Sequence, residues 1–178
     1  SAASDVYKRQ VIDWMTKRHH WTPKKEWLVC TPGVVCAISI AIKALTKPED
    51  SVMIMQPVYH PFKNAVVRNG RKLVENPLAL GEDHRFYMDF DKIEEQFAKE
   101  QVKLLILCTP HNPGGRVWTK DELERLIALC LKYKVKVVAD EIHHDFVNIL
   151  KSNCLLLNCI SPKSGIFDFF LQLNNDII

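Results

Sequence analysis

Two short apolar runs that stop at polar side chains constrain this chain most: L-L-I-L-C-T-P-H-N-P-G-G at Leu104 to Gly115, and V-K-V-V-A-D-E-I-H at Val135 to His143. Strands of a parallel sheet are buried on both faces and read as near-continuous apolar runs, and such sheets bind ligands beyond the carboxyl ends of their strands. Between the runs, Leu123, Leu126, Ile127, Cys130 and Leu131 recur at helical spacing, and Thr119 with Glu122 has the spacing of a capping box. The predicted unit is strand, helix, strand. Its two strand ends set Asn112 and Asp140 side by side over one crevice, an amide and a carboxylate aimed at the same ligand.

The rest of the chain repeats this alternation. Val11 to His19 reads as a short amphipathic helix, and Trp27 to Cys30 as a strand ending in Thr31-Pro32-Gly33. Val34, Ile38, Ile42 and Leu45 predict a helix from just after Gly33 to near Lys47-Pro48. Val52 to Met55 reads as a buried strand ending in Gln56-Pro57, Tyr59 to Asn69 as a helix stopped by Gly70, and Lys72 to Glu75 as a further strand. Asp91 to Glu100, with Ile93 and Phe97 inward, precedes the strand at Leu104. The expectation is an α/β fold, a mainly parallel sheet flanked by helices.

Composition removes several alternatives. A net charge of +3 with no basic cluster interleaved with aromatics argues against nucleic acid. No apolar run has spanning length and no apolar leader is present, so no membrane partner is expected and the chain reads as cytoplasmic. The six cysteines are scattered without a C-x-x-C pair, as expected of reduced thiols acting as small hydrophobes. His143-His144 lacks a third ligand at plausible spacing, so no metal site is expected.

Candidate ligand contacts follow from the strand ends. A glycine at the Thr31-Pro32-Gly33-Val34-Val35 turn leaves main-chain N–H groups of the helix start facing outward, an anion site or simply a tight turn. Asp140 ends an apolar strand, where a carboxylate is costly to bury unless paired; it either meets a cationic ligand, caps the next helix or pairs with an arginine. Tyr59 by itself reads as a helix-start residue packed on the core with its hydroxyl in water.

The wording T-P-G-V-V, Q-P-V-Y-H-P-F, T-P-H-N-P-G-G-R-V-W and V-A-D-E-I-H-H-D-F, in that order from about Val11 to Val147, resembles the fold type I pyridoxal-phosphate enzymes of the class I/II aminotransferase superfamily. The branch with cystathionine β-lyase-like carbon-sulfur lyases is the most similar. The resemblance implies part of the large domain of such an enzyme and pyridoxal 5′-phosphate as cofactor. It implies that Gly33, Val34 and Val35 hold the phosphate through main-chain groups, that Tyr59 stacks on the pyridine ring, and that Asp140 pairs with its protonated nitrogen. It implies that Asn112 donates to the ring 3-oxygen, and that His143 reaches the same side of the ring or supports Asp140; a histidine simply satisfied near a helix start remains the other reading.

By the same resemblance the activity is β-elimination from cystathionine or another cysteine S-conjugate, a small amino-acid substrate, in a homodimer. A class I/II aminotransferase and a non-enzymatic binding or regulatory remnant are the alternatives. The family's cofactor-bonding lysine lies beyond the A-D-E-I-H segment. There only Lys151 and Lys163 occur, and Ser161-Pro162-Lys163-Ser164 differs from the family's serine-lysine segment, so no catalytic residue is assigned. Residues 1–10 carry none of the resemblance and read as extraneous sequence. Residues 148–178 lack Ala, Glu, Arg, Thr, Val, Tyr and Trp, and read as a divergent, possibly frame-shifted tail. The 178-residue chain is therefore expected to be inactive, or a non-covalent cofactor binder.

Overall fold

A computed structural model describes residues 2–146 and the backbone of 170–171. Lys151, Lys163 and the remainder of the 148–178 tail lie outside the described residues. The chain divides into two compact units, Ser1–Pro32 and Gly33–Ile178.

The first unit is built on α1, Ala2–His19. This helix starts well before the predicted Val11, and its following segment folds back on it. Trp21 N–H donates to Met15 O at 3.3 Å, and Lys25 reaches Asp5 at 3.0 Å. The strand expected at Trp27 to Cys30 does not form. Lys25–Trp27 is a turn of 3-10 helix and Leu28 beyond it is extended, but among the described residues no strand pairs with it. Four apolar residues without a ladder partner have no reason to stay a strand.

In the second unit the elements run α2 (Val34–Leu45), β1 (Ser51–Gln56), α3 (Pro61–Arg68), β2 (Lys72–Pro77), a small hairpin of β3 (Ala79–Leu80) and β4 (Phe86–Tyr87), α4 (Phe90–Lys99), β5 (Leu104–Cys108), α5 (Lys120–Tyr133), β6 (Lys136–Asp140) and β7 (Phe170–Leu171). The main sheet has the order β2-β1-β5-β6-β7 and every pairing in it is parallel.

Side chains alternate across this sheet, and each face buries its own layer. Val52, Ile54, Leu104, Ile106 and Val138 pack under α2 and α3 with Ile38, Ile42 and Phe62. Met53, Met55, Leu105, Leu107, Val137 and Ala139 pack under α4 and α5 with Ile93, Phe97, Leu126 and Cys130. Each Val, Leu, Ile, Met or Phe among them contributes roughly 1.5–3 kcal/mol by leaving water, so the two layers dominate stability. The predicted capping box holds: Glu122 N–H donates to Thr119 Oγ1 at 3.2 Å, and Thr119 N–H to Glu122 Oε2 at 2.8 Å.

Leu131 is the exception on α5, 45% exposed rather than inward. At about 100° per residue it falls roughly 80° round from Leu123, past the edge of the stripe made by Leu126, Ile127 and Cys130. Among the described residues no helix is long and apolar enough to cross a membrane.

Candidate functional site

The order of the sheet decides where a ligand can sit. From β1 the chain crosses through α3 to β2 on one side, whereas β5 lies on the other side of β1. The connections leaving the carboxyl ends of β1 and β5 therefore diverge, which opens a crevice between them. The loops after β1 and β5 and the end of β6 supply Tyr59, Asn112 and Asp140 to that edge.

Asp140 is the last residue of β6, and its register partner across the sheet is Cys108, the last residue of β5. It lies on the α2 side, two residues after Val138. Only 4% of it is exposed, and its Oδ1 accepts the Ile142 N–H at 3.1 Å. Burial pushes its pKa above the ordinary carboxylate value, with the Ile142 N–H and the nearby His143 pulling part of the way back. No ion pair to a cation is formed by Asp140 among the described residues. A carboxylate in this state gains from any cationic hydrogen-bond donor placed against it.

The loop after β5 doubles back over Cys108. Its thiol lies 3.4 Å from the Pro110 carbonyl, to which it donates, and 3.4 Å from the Asn112 N–H, from which it accepts. Burial pushes this thiol up to about 12, so it serves as a neutral neighbour to Asp140. Asn112 is thereby returned to the strand end whose partner is Asp140. Its side-chain amide is half-buried and makes no hydrogen bond among the described residues.

Tyr59, two residues past Pro57, is 42% exposed, with its ring edge-on to Phe62 at 5.8 Å. The helix expected from Tyr59 begins at Pro61, which leaves Tyr59 in the loop at the crevice. Val58 and Pro113 form an isolated antiparallel bridge, so the loops after β1 and β5 touch. Gly33 caps α2 at φ 110° and ψ 157° without a side-chain cap, and the first helical bond runs from Ala37 N–H to Gly33 O at 3.1 Å. The N–H groups of Val34 and Val35 lie before that bond and have no partner within the helix. Because only Thr46 to Asp50 separates α2 from the start of β1, the start of α2 is at the carboxyl edge of the sheet. It also packs over β6, on the Asp140 face.

His143 is half-buried, three residues beyond Asp140, with its ring 6.1 Å from that of Phe146. The structure thus gathers Gly33, Val34, Val35, Tyr59, Asn112, Asp140 and His143 at one edge. Sequence reasoning passed over Cys108 and His111, which hold the loop carrying Asn112. The period-2 alternation of L-L-I-L-C would have placed Cys108 on the face of Asp140; nothing local marks His111.

Over 140 residues the chain is 44% identical to cystathionine beta-lyase PatB of Bacillus subtilis (strain 168), a match covering 79% of this chain and 36% of that protein. Cystalysin from Treponema denticola, whose crystal structure contains a pyridoxal 5′-phosphate cofactor, superposes with a TM-score of 0.74 at 41% identity, covering 78% of this chain and 35% of that one. The PLP-bound C-S lyase from Staphylococcus hominis gives a TM-score of 0.74 at 33% identity, covering 78% and 36%. The chain therefore spans about a third of the length of the relatives it matches. The family described as aminotransferase class I and II matches residues 2–158, most of the chain and all of the crevice. With that match over most of its length, the chain belongs to the class I and II aminotransferase family.

Proposed function

We propose that this chain carries the cofactor-binding part, residues 11–147, of a pyridoxal-phosphate-dependent carbon-sulfur β-lyase. The observation that carries the reading is Asp140: a buried carboxylate at a strand end, raised by desolvation and supplied with one main-chain donor. A protonated pyridine nitrogen is the partner such a group lacks. The remaining residues fit the other parts of the cofactor. The α2 start offers main-chain N–H groups to a phosphate, Tyr59 offers an exposed ring, and Asn112 an unused amide donor.

When bound, the cofactor supplies an electron-poor ring that lets the substrate Cα proton leave. Asp140 would hold the ring nitrogen in its protonated form, because a carboxylate beside it favours the N–H form. Asn112 would hold the ring 3-oxygen, Tyr59 would offer its ring to the cofactor, and His143 would support Asp140 from beside it. In the full-length protein the net reaction is cystathionine plus water giving homocysteine, pyruvate and ammonia, or the equivalent cleavage of another cysteine S-conjugate. The carbon-sulfur lyases among the relatives support this over amino transfer. The same reading places the full-length protein in the cytoplasm as a homodimer.

The test is a titration of the 178-residue chain with pyridoxal 5′-phosphate, read by cofactor absorbance, and with an analogue lacking the aldehyde, read by tryptophan fluorescence. Saturable binding of both, displaced by inorganic phosphate and weakened in Asp140→Asn, is expected. Failure to bind either, or binding that ignores both phosphate and Asp140, would sink the reading.

A further inference from the structure

We propose that His111 is a positioning residue of this crevice: as a neutral imidazole with its proton on Nε2, it clasps the end of β1 to the loop after β5. It thereby sets the spacing between Tyr59 and Asn112. The proposal rests on the cofactor reading only in naming those two residues as ligand contacts.

The geometry fixes the tautomer. Nε2 lies 2.7 Å from the Pro57 carbonyl, and a carbonyl oxygen can only accept, so the ring proton is on Nε2. Nδ1 is buried without a hydrogen-bond partner, and the nearby Cys108 carbonyl already accepts the Trp118 Nε1–H at 3.0 Å. A second proton on Nδ1 would have to share the Cys108 carbonyl with Trp118. The ring is 2% exposed, and burial holds its pKa below the ordinary histidine value, which keeps it neutral near pH 7.

The ring cannot swing aside. Its own main chain is held on both sides: His111 N–H donates to Arg116 O at 2.7 Å, and Gly115 N–H donates to His111 O at 2.8 Å. The imidazole lies edge-on to Trp118, centroids 5.4 Å apart. At Gly114 an added Cβ would come within 3.0 Å of both His111 Cδ2 and Phe86 Cδ2, so the loop closes tightly on the ring. Pro57 is two residues from Tyr59, and His111 is the neighbour of Asn112. Beside the Val58–Pro113 bridge, this hydrogen bond ties together two loops that the sheet order would otherwise part.

Two measurements test it on the full chain. Long-range proton–nitrogen correlation on the 15N-labelled protein at neutral pH reports the tautomer without any cofactor. The Nε2–H form is expected, and the Nδ1–H form overturns the proposal. Affinity for pyridoxal 5′-phosphate is then compared in three variants. His111→Gln can place its amide nitrogen near the Nε2 position and donate to Pro57. His111→Asn is too short to reach, and His111→Phe keeps the packing on Trp118 with no donor. The Gln variant should stay within about threefold of wild type, while Asn and Phe weaken binding roughly tenfold. Equal affinity in all three, or equal loss in Gln and Phe, overturns the clasp. If the wild-type chain does not bind the cofactor, the functional reading fails by itself. His111 is then judged on the tautomer and on the Tyr59 and Asn112 amide shifts, which must move in Phe and return in Gln.

Discussion

Asp140→Asn separates a functional carboxylate from a structural one, because the two roles predict opposite signs. The substitution keeps size and leaves an Oδ1 to accept the Ile142 N–H, now at 3.1 Å, so the main change is the loss of charge. In the folded chain burial raises the Asp140 pKa above its ordinary value of 3.8. A carboxyl group raised in this way favours the folded state only while protonated. Its contribution is full below pH 3.8 and is lost as pH rises through the higher folded value. Above that folded value the wild type carries a buried charge that the Asn variant does not. Without ligand the variant should be as stable as wild type or more stable by on the order of 1 kcal/mol, with the difference closing below about pH 4.

Cofactor binding should move the other way. A charge-assisted hydrogen bond is worth about 1.5–3 kcal/mol, so its loss raises the dissociation constant about 10- to 150-fold. Urea unfolding followed by tryptophan fluorescence at neutral and acid pH gives the first quantity, and titration with pyridoxal 5′-phosphate the second. A variant that loses more than about 1 kcal/mol at neutral pH with its cofactor affinity intact would refute the reasoning. Asp140 would then be a satisfied cap on the turn through Ile142.

Other substitutions probe the scaffold around it. Gly33→Ala puts a side chain at φ 110°, where its Cβ meets nothing within 4 Å, so the cost of about 1–3 kcal/mol is backbone strain; urea midpoints report it, and competition by inorganic phosphate should weaken in parallel. Thr119→Ala removes the capping box of α5 and should lower unfolding free energy by about 0.5–2 kcal/mol without changing cofactor affinity. Cys108 and Cys130, both buried and pushed up to about 12, should resist a thiol reagent near pH 8 in the folded chain while exposed Cys30 reacts; early labelling of Cys108 would contradict its place under the Asn112 loop.

How far the residues themselves announced this structure varies with the range of the cause. The unit from Leu104 to Asp140 was legible because each strand is a run of apolar residues buried on both faces, and the helix between them carries its own cap in Thr119 and Glu122. Trp27 to Cys30 misled for the same local reason: an apolar quartet resembles a strand until a partner strand is required of it. The β3–β4 hairpin escaped because two-residue strands are too short to show a period. His111 could not be read at all, since its partner, the Pro57 carbonyl, belongs to a residue far earlier in the chain.

Strand order explains why that long-range contact matters. Asp140 and Cys108 are locked by ladder pairing, so their relation survives any movement of the loops. Tyr59 and Asn112 have no such guarantee, because they lie beyond the strand ends where the connections from β1 and β5 separate. A crevice at that place costs the sheet nothing in pairing, but it leaves these two residues on independent loops. The structure supplies the missing constraint from the core side: the His111 ring, packed on Trp118, reaches Pro57, and Val58 meets Pro113. The carboxylate is thus positioned by the sheet, Tyr59 and Asn112 by a buried clasp, and the main-chain N–H groups of Val34 and Val35 by the first turn of α2. Loosening the clasp should therefore weaken ring contacts while leaving phosphate competition intact, and loosening Gly33 should do the reverse.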